Sequence, residues 1–218
     1  MELASPQTTA AEGPSFATRV ADTARFEVLE LIGGSDDPGT ILDVGCGDGR
    51  LLRRAKHLFP SAKLVGVDPL ERSLRAARLL LPSCTFYPGR VEALPLPDDS
   101  VDVVVSTFSF HHWEDPAKGI GEIARVLHPG GRLLVADVWP PFGLWALARH
   151  FWPSRPSRVR YMCAKGGISV IGQRRLMAGF VMVTMGERPL FEKRFRVGTT
   201  RSTVSAEPHG RDPKVDAH

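Results

Sequence analysis

The chain has 218 residues, of which 43% are hydrophobic and 24% charged, and its formal charge is +4. This composition excludes an intrinsically disordered chain, and the charge excess is too small for a general nucleic-acid-binding surface. Cys46, Cys84 and Cys163 have no spacing typical of a disulfide framework or a metal site, so we expect no metal and a reducing, cytoplasmic location. Neither a signal peptide nor an apolar run near the roughly 18 residues of a membrane span is found.

The first part of the chain predicts alternating strands and helices. Residues 1–14 are small and polar, and we expect them to be flexible. A loose helical period over residues 16–32 predicts a first helix, with Ser15 as its N-cap and Gly33 and Gly34 as its end. The strands that follow are predicted at residues 41–44, 64–67, 85–87, 101–108 and 132–138, and the helices at residues 50–58, 69–80 and 115–127. Continuous Val, Ile and Leu in these strands predict an α/β fold with a parallel sheet covered on both faces.

The pattern changes after residue 138. Residues 139–167 are rich in Trp, Pro and Arg, and residues 170–178 are predicted to form a short helix. A hairpin follows, whose two strands are expected to turn near residues 186–189. Residues 202–218 are polar and are expected to be a disordered tail.

A glycine-rich loop follows the first predicted strand. Gly45, Gly47 and Gly49 allow a ligand to approach the backbone, and the helix that follows offers free N–H donors. The dinucleotide fingerprint G-x-G-x-x-G differs from this loop, because the third glycine comes one residue early. Asp43, just before the loop, suits a cationic group such as an ammonium better than a pyrophosphate. Asp68 ends the second strand, where it can accept hydrogen bonds from a ribose or cap the next helix.

Four segments together resemble the successive motifs of class I S-adenosylmethionine-dependent methyltransferases of the methyltransferase domain 11 type. They read ILDVGCGDGR, LVGVDP, VEALPLPDDSVDVVVSTFSFHHWEDP and EIARVLHPGGRLLV, and the resemblance covers about residues 39–138 in order and spacing. The resemblance is greatest to enzymes of the ubiquinone and menaquinone pathways. It implies a doubly wound, Rossmann-like sheet of seven mostly parallel strands with a C-terminal antiparallel hairpin. It also implies one methyltransferase domain over residues 15–201, with a cofactor core at 39–138, a substrate or lid segment at 139–170, and a helix and hairpin at 171–201.

The resemblance implies S-adenosyl-L-methionine as the cofactor. In the family the glycine loop and the acid before it hold the methionine part, and the acid ending the second strand, here Asp68, holds the ribose. Pro69 or Leu70 is expected against the adenine, and the backbone N–H of Val91 can serve the ring. Arg90 stands where the family often has an acid for the adenine amino group, and arginine cannot accept that hydrogen bond. The residues implied for cofactor binding are Asp43, Gly45, Cys46, Gly47, Gly49, Asp68, Pro69, Val91, Ser106 and Thr107.

Methyl transfer from a sulfonium is an in-line displacement that needs alignment and exclusion of water, and it requires no covalent enzyme intermediate. His111 and His112 are the candidate catalytic residues, because imidazole titrates near neutral pH. The alternative is that both histidines only pack or cap. We expect a small-molecule acceptor, hydrophobic or anionic, methylated on O, N or C, and no nucleic-acid partner. The candidate residues for contact with the acceptor are Trp139, Trp145, Arg149 and Arg155.

Three interpretations of the segment around these four residues stay open. It forms a lid over the acceptor, an amphipathic helix that docks on a membrane, or a helix packed on the sheet with a solvated basic rim. Two other functions also stay open for the whole chain: a non-catalytic module that binds a nucleoside cofactor, and a dinucleotide-dependent oxidoreductase. The early third glycine and Asp43 disfavour the oxidoreductase. The sequence does not specify an oligomeric state.

Overall fold

Strands and helices make up most of the described residues, which are 15–33, 38–138, 155–176 and 180–190 of a computed structural model. The strands are β1 (Thr40–Val44), β2 (Lys63–Asp68), β3 (Thr85–Pro88), β4 (Val101–Thr107), β5 (Leu127–Val138), β6 (Ser169–Leu176) and β7 (Val181–Glu187). The helices are α1 (Phe16–Glu30), α2 (Arg50–Leu58), α3 (Glu71–Leu80), α4 (Pro116–Val126) and α5 (Pro156–Lys165), with 3₁₀ turns at Val91–Ala93 and Phe110–His112. No helix among these residues is long and apolar enough to cross a membrane.

The described strands form one seven-stranded sheet in the order β3-β2-β1-β4-β5-β7-β6. Neighbouring strands from β3 to β5 are parallel, whereas β7 pairs antiparallel with both β5 and β6. The predicted fold class, a mostly parallel sheet with a C-terminal antiparallel hairpin, is therefore confirmed. The carboxyl ends of β1, β2, β4 and β5 meet at one edge of the sheet, where ligands bind in folds of this kind.

Apolar side chains cover both faces of this sheet, which explains the near-continuous Val, Ile and Leu of its central strands. On one face, α1, α2 and α3 bury side chains that include Val28, Leu51 and Leu74. On the other face, α4 and α5 bury side chains that include Ile123 and Met162. Burial of apolar area contributes roughly 25 cal/mol per Å² to the stability of the fold. The helices packed on both faces therefore stabilise the sheet and fix the positions of its strand ends.

The first helix and the first four strands lie where the sequence predicts them. Ser15 caps α1, because its side-chain oxygen accepts the N–H of Thr18 at 3.2 Å. The predicted helix at residues 50–58 coincides with α2. Strands β1 to β4 agree with the predicted ranges to within one residue at each end.

The third helix begins later than predicted. It was expected at residues 69–80 with Pro69 in its first turn, but α3 begins at Glu71. The carboxylate of Asp68 accepts the N–H of Leu70 at 2.8 Å and fixes a turn ahead of the helix. Leu70 is extended and occupies the N-cap position, so Asp68 is not the cap of α3.

The fifth strand begins earlier than predicted. The expected strand covered residues 132–138, whereas β5 begins at Leu127 and includes the His-Pro-Gly-Gly sequence that ends α4. Gly130 has a φ of 81°, which glycine adopts without strain, and the pairing of β4 with β5 shifts register over this stretch. The glycines therefore bend the strand instead of only ending the helix.

The predicted helix at residues 170–178 is wrong, because this stretch is the edge strand β6. The predicted hairpin turn near residues 186–189 is also wrong: β7 runs to Glu187, and the hairpin is formed by β6 and β7 with its reversal between Leu176 and Val181. The helix of this region is α5, within the stretch rich in Trp, Pro and Arg. Residues 1–14 and 191–218, including the predicted tail, lie outside the described residues.

A side-chain network fixes the segment that leads into β4. Arg125 of α4 donates to the carbonyl oxygens of Leu94 and Leu96 at 3.0 and 2.8 Å. It also pairs with Asp98 and Glu122, each at 2.8 Å. This segment follows the 3₁₀ turn Val91–Ala93, so the network positions that turn against α4.

Replacing this arginine should weaken the fold. We expect Arg125→Ala to lower the free energy of unfolding by about 1–3 kcal/mol, because partly buried carbonyls lose their donor. Arg125→Lys should recover only part of the loss, because one ammonium cannot reproduce the forked donors of a guanidinium. Urea unfolding measures both effects, with exposed Arg53→Ala on α2 as the control. Equal unfolding midpoints for Arg125→Ala and Arg53→Ala would contradict the expectation.

Candidate active site

A cavity of about 380 Å³ lies at the carboxyl ends of β1 and β2, beside the turn that follows β4. The strand order reverses between β1 and β4, at the border of this cavity, and such a reversal is the usual ligand site of these sheets. Its walls combine apolar side chains with a few charged ones. The lining residues are Val44, Gly45, Val67, Asp68, Pro69, Leu70, Gly89, Arg90, Val91, Glu92, Phe108, Ser109, His112 and Trp113.

The glycine loop between β1 and α2 needs its glycines for conformation and for close packing. Gly45, Gly47 and Gly49 have φ values of 74°, 54° and 80°, all in the left-handed region. A Cβ on Gly45 would lie 2.2 Å from the Oγ of Ser109. That hydroxyl donates to the carbonyl oxygen of Val44 at 3.2 Å, so the loop is joined to the turn after β4.

Asp68 is held at the cavity wall by the backbone. Its Oδ2 accepts the N–H of Gly47 at 2.9 Å, and its Oδ1 accepts the N–H of Leu70 at 2.8 Å. The side chain is buried, and each carboxylate oxygen has a second lone pair for a further donor. The loop and the end of β2 thus present one oriented acceptor to the cavity.

Asp43 is a buried carboxyl group beneath the glycine loop. Only 1% of the residue is exposed, and Oδ1 has no hydrogen-bond partner among the residues that the structure describes. Burial raises the pKa of Asp43 to about 7; the nearby Arg25 opposes this rise, and Asp68 adds to it. A cationic ligand group close to Asp43 would favour its ionised form.

Arg25 reaches this site from α1, a contribution that the sequence prediction missed. Its guanidinium carbon lies 5.7 Å from the centroid of the Phe108 ring, and it forms an ion pair with Asp22 at 3.0 Å. The helical period of α1 identifies its apolar face but not which arginine faces Asp43. The sequence carries no signal for this contact.

The loop cysteine packs tightly behind the cavity. Cys46 is buried, and a Cβ on Gly66 of β2 would lie 2.7 Å from its sulfur. Burial and the negative charge of Asp43 raise the pKa of the Cys46 thiol far above its usual range. The thiol is therefore a packing group.

The stretch from Arg90 to Glu92, where the adenine was expected, is held by contacts with residues outside the cavity. Arg90 forms an ion pair with Glu114, and Glu92 accepts the N–H of Asp115 at 3.1 Å. Val91 is buried and lines the cavity with both neighbours. The charge of Arg90 is thus partly neutralised beside the wall where adenine was expected.

The two histidines differ in their surroundings. His111 Nδ1 lies 2.8 Å from Oδ1 of Asp137, and its backbone N–H donates to Oδ2 of the same carboxylate at 2.9 Å. His112 is exposed and lines the cavity, and the two imidazole centroids are 3.9 Å apart. Asp137 is the second-last residue of β5 and is buried. It was missed, although the rule that identified Asp68, an acid at a strand's carboxyl end, also identifies Asp137.

The predicted residues gather at this edge of the sheet, but not all of them reach the cavity. Those that line it are Gly45, Asp68, Pro69, Val91 and His112. Those that lie behind or beside it are Asp43, Cys46, Gly47, Gly49, Ser106, Thr107 and His111. Ser109 and Gly89 line the cavity and were not predicted.

The predicted acceptor-contacting residues fall mostly outside the described residues, as Trp139, Trp145 and Arg149 do. Arg155 stands at the N-cap position of α5 and is half-buried. Helix α5 buries Val159 and Met162 against the sheet and α4, while Arg158 is exposed. The described part of this segment therefore matches the interpretation of a packed helix with a basic rim.

Comparisons with known proteins show what the central part of the chain is similar to. Residues 42–135 match a family described as methyltransferase domain. An uncharacterized methyltransferase of Mycobacterium tuberculosis is 43% identical over 93 residues, which cover 43% of this chain and 37% of the relative. Demethylmenaquinone methyltransferase of Thermus thermophilus is 38% identical over 115 residues, which cover 49% of this chain and 52% of the relative.

Solved structures agree in fold. A putative methyltransferase of Haloferax volcanii, determined in complex with the Trm112 methyltransferase activator, superposes with a TM-score of 0.69 at 21% identity. The alignment covers 78% of this chain and 90% of that one. Residues 42–135 thus match the methyltransferase domain family, and the described strands and helices share the fold of that solved structure. The chain spans about half or less of the length of these curated relatives.

The fold and the family match imply S-adenosyl-L-methionine as the cofactor, and the residues present fit it. Asp43 offers a buried carboxylate oxygen without a partner among the described residues, as an ammonium group requires. Asp68 offers an oriented acceptor for hydroxyl groups. Val67, Leu70 and Val91 give the cavity an apolar wall for a flat ring.

The contact between the glycine loop and Ser109 predicts a steric effect. Gly45→Ala should lower the free energy of unfolding by about 1–3 kcal/mol, because its Cβ meets Ser109 and its φ is positive. The double variant with Ser109→Gly should recover part of the loss, since the clash is relieved and the strain remains. Gly121→Ala in α4, which meets open space, should be neutral or stabilising. Thermal unfolding compares the three, and a Gly45→Ala variant as stable as Gly121→Ala would contradict the expectation.

The buried Asp43 predicts a pH-dependent stability. Its folded pKa of about 7 exceeds the ordinary value of 3.8, so its contribution to stability is present below about pH 4 and is lost as the pH rises through 7. Asp43→Asn should therefore leave stability near pH 4 unchanged and raise it near pH 8 by roughly 4 kcal/mol. Urea unfolding across this range measures the difference, with exposed Glu30→Gln as the control. Parallel stability curves for Asp43→Asn and the wild type would rule out the raised pKa.

Proposed function

We propose that this chain is an S-adenosyl-L-methionine-dependent methyltransferase that acts on a small-molecule acceptor. The observation that carries the proposal is the arrangement of Asp43, the glycine loop and Asp68 around one cavity at the ends of β1 and β2, which Gly45 and Asp68 line and behind which Asp43 lies. Their chemistry suits an amino acid joined to a nucleoside, since one acid lies by the loop and another ends the next strand. A glycine loop that served only as a turn would not require an acid on each of these two strands.

Each group would have a separate part in binding the cofactor. The cofactor supplies an electrophilic methyl group on a sulfonium when bound. Asp43 would neutralise the ammonium, the glycine loop would approach the methionine part, and Asp68 would accept from the ribose hydroxyls. Ser106 and Thr107, buried at the end of β4, would support the methionine side of the site. Fixed positions for both reactants account for the rate, because displacement requires alignment above all.

The proposed acceptor is an aromatic small molecule of the quinol or phenol type. This is supported by the names of two relatives, demethylmenaquinone methyltransferase of Thermus thermophilus and 2-methyl-6-phytyl-1,4-hydroquinone methyltransferase of Spinacia oleracea. The second is 34% identical over 125 residues. The segment around Trp139, Trp145 and Arg149, with Arg155, is proposed to cover such an acceptor and exclude water.

Cofactor binding is tested first by calorimetry of the whole chain with three ligands. We expect S-adenosyl-L-methionine and S-adenosyl-L-homocysteine to bind and a nicotinamide dinucleotide not to bind. Asp68→Asn should weaken binding about tenfold or more, because a charge-assisted hydrogen bond is lost. Asp48→Asn, an acid of the same loop that pairs with Arg50, is the matched control. Binding of the dinucleotide alone would overturn the proposal.

Transfer is tested with methyl-labelled cofactor and hydroquinone as the acceptor probe. The expected result is label in the organic product, dependent on both the chain and the acceptor. Cofactor binding without transfer to hydroquinone or to a broader set of phenols, amines and carboxylic acids would favour a non-catalytic binding module.

A further inference from the structure

The carboxylate of Asp137 holds His111 through both backbone and side chain. Its Oδ1 lies 2.8 Å and its Oδ2 3.1 Å from His111 Nδ1, and Oδ2 also accepts the His111 N–H at 2.9 Å. The N–H of Val138 donates to Oδ1 at 2.7 Å. Asp137 is only 3% exposed and the side chain of His111 13%, so the pair is held in one geometry.

This pair lies beside the cofactor cavity and outside it. Asp137 is at the carboxyl end of β5, and His111 is in the 3₁₀ turn after β4. Strand β4 is the neighbour of β1, which leads into the glycine loop, and β5 lies on the other side of β4. The ring of His112, which lines the cavity, stacks on His111 with centroids 3.9 Å apart. Asp137 and His112 are the titratable groups among the described residues that contact the His111 ring. A group that takes a proton from an acceptor belongs beside the cavity, since the proposed cofactor would occupy the cavity itself.

We infer that His111 and Asp137 form a proton-accepting dyad, with Asp137 as the positioning residue, and that the methyl group is transferred to a hydroxyl oxygen. The inference rests on the proposed function and specifies its acceptor atom. A carboxylate at Nδ1 fixes the proton of the neutral imidazole on that nitrogen, which makes Nε2 the basic nitrogen. A neutral hydroxyl acceptor needs such a base, because attack without loss of its proton would leave a positively charged oxygen.

The step balances with the groups already named. The acceptor O–H bond breaks and its proton goes to Nε2 of His111, while the oxygen lone pair forms the new O–CH₃ bond. The bond between sulfur and the methyl carbon breaks, and its electron pair stays on sulfur, which becomes an uncharged thioether. The imidazolium is stabilised by the ionised Asp137 and later loses its proton to water.

The same carboxylate also ties the turn after β4 to β5, so a purely structural role must be separated from the proposed one. Asp137→Asn retains the shape and one acceptor oxygen but can present N–H donors to Nδ1. The imidazole would then carry its proton on Nε2 and could not accept another there. Loss of activity with the fold retained is the signature of that tautomer change.

The tautomer is measured without any acceptor by long-range ¹H–¹⁵N spectra of the whole chain at neutral pH. His111 is assigned by the signal that disappears in His111→Gln. The expected wild-type state has the proton on Nδ1, and Asp137→Asn should move it to Nε2. A wild-type His111 protonated on Nε2 would overturn the dyad, whether or not an acceptor is known.

Kinetics then distinguish a positioning residue from a structural one. With hydroquinone, we expect Asp137→Asn and His111→Gln each to lower kcat about 10²- to 10⁴-fold with KM little changed, and to lose the acidic limb of the pH profile. With nitrohydroquinone the decrease in kcat should be smaller, because this acceptor ionises more readily and depends less on a base. His128→Gln, an exposed histidine of β5, is the matched control.

If the two variants lost kcat by the same factor with hydroquinone and with nitrohydroquinone, or if their pH profile matched the wild type, the inference would be overturned. Cofactor calorimetry on the same variants separates this failure from that of the proposed function. Unchanged binding in Asp137→Asn is expected, since Asp137 does not line the cavity. If the wild type itself binds no cofactor, the proposed function fails and the spectra still decide the state of the dyad.

Discussion

A carboxyl group buried at the end of a central strand is the constraint on which this site depends. Asp43 lies where β1 is flanked by β2 and β4, so water cannot solvate its charge. Arg25 supplies part of the compensation from α1, but the pKa of Asp43 remains near neutrality. Such a group is destabilising in the fold and favourable in a complex with a cation, which is typical of a residue kept for binding.

The site around Asp43 is built by backbone contacts more than by side-chain pairs. Asp68 is oriented by the N–H groups of Gly47 and Leu70, and Ser109 reaches the carbonyl of Val44 only because Gly45 has no side chain. The loop, the end of β2 and the turn after β4 therefore form one connected unit. A change in any of these three segments would be transmitted to the cavity wall.

The sequence predicts the parallel half of this protein well because its signals are local and agree with each other. Apolar strands, a glycine loop and acids at strand ends identify Asp43 and Asp68 without any knowledge of packing. Arg25 could not be predicted, because it comes from a helix whose period specifies only which face is buried. The pairing of His111 with Asp137 joins residues 26 positions apart, and only the order of β4 and β5 brings them together.

The C-terminal half was less predictable because β6 is an edge strand. The alternation of exposed and partly buried residues stops after Gly172, and Arg174 and Arg175 are both exposed, so neither a strand period nor an apolar run stands out. The pairing with β7 shifts register between Val170 and Gly172, which further weakens the alternation. Tertiary pairing with β7 decides the conformation here, and local propensity does not.

The position of β6 at the border of the sheet also bears on how the molecule avoids self-association. Among the described strands none pairs with the outer border of β6, and such a border with an apolar side chain such as Ile171, which is 61% exposed, is a surface on which a second sheet can nucleate. The irregular pairing at Gly172 interrupts the flat hydrogen-bonding surface, and the exposed Arg174 that follows would repel an identical strand. Residues that concealed this strand from sequence analysis are therefore also suited to limiting edge-to-edge pairing with a second copy.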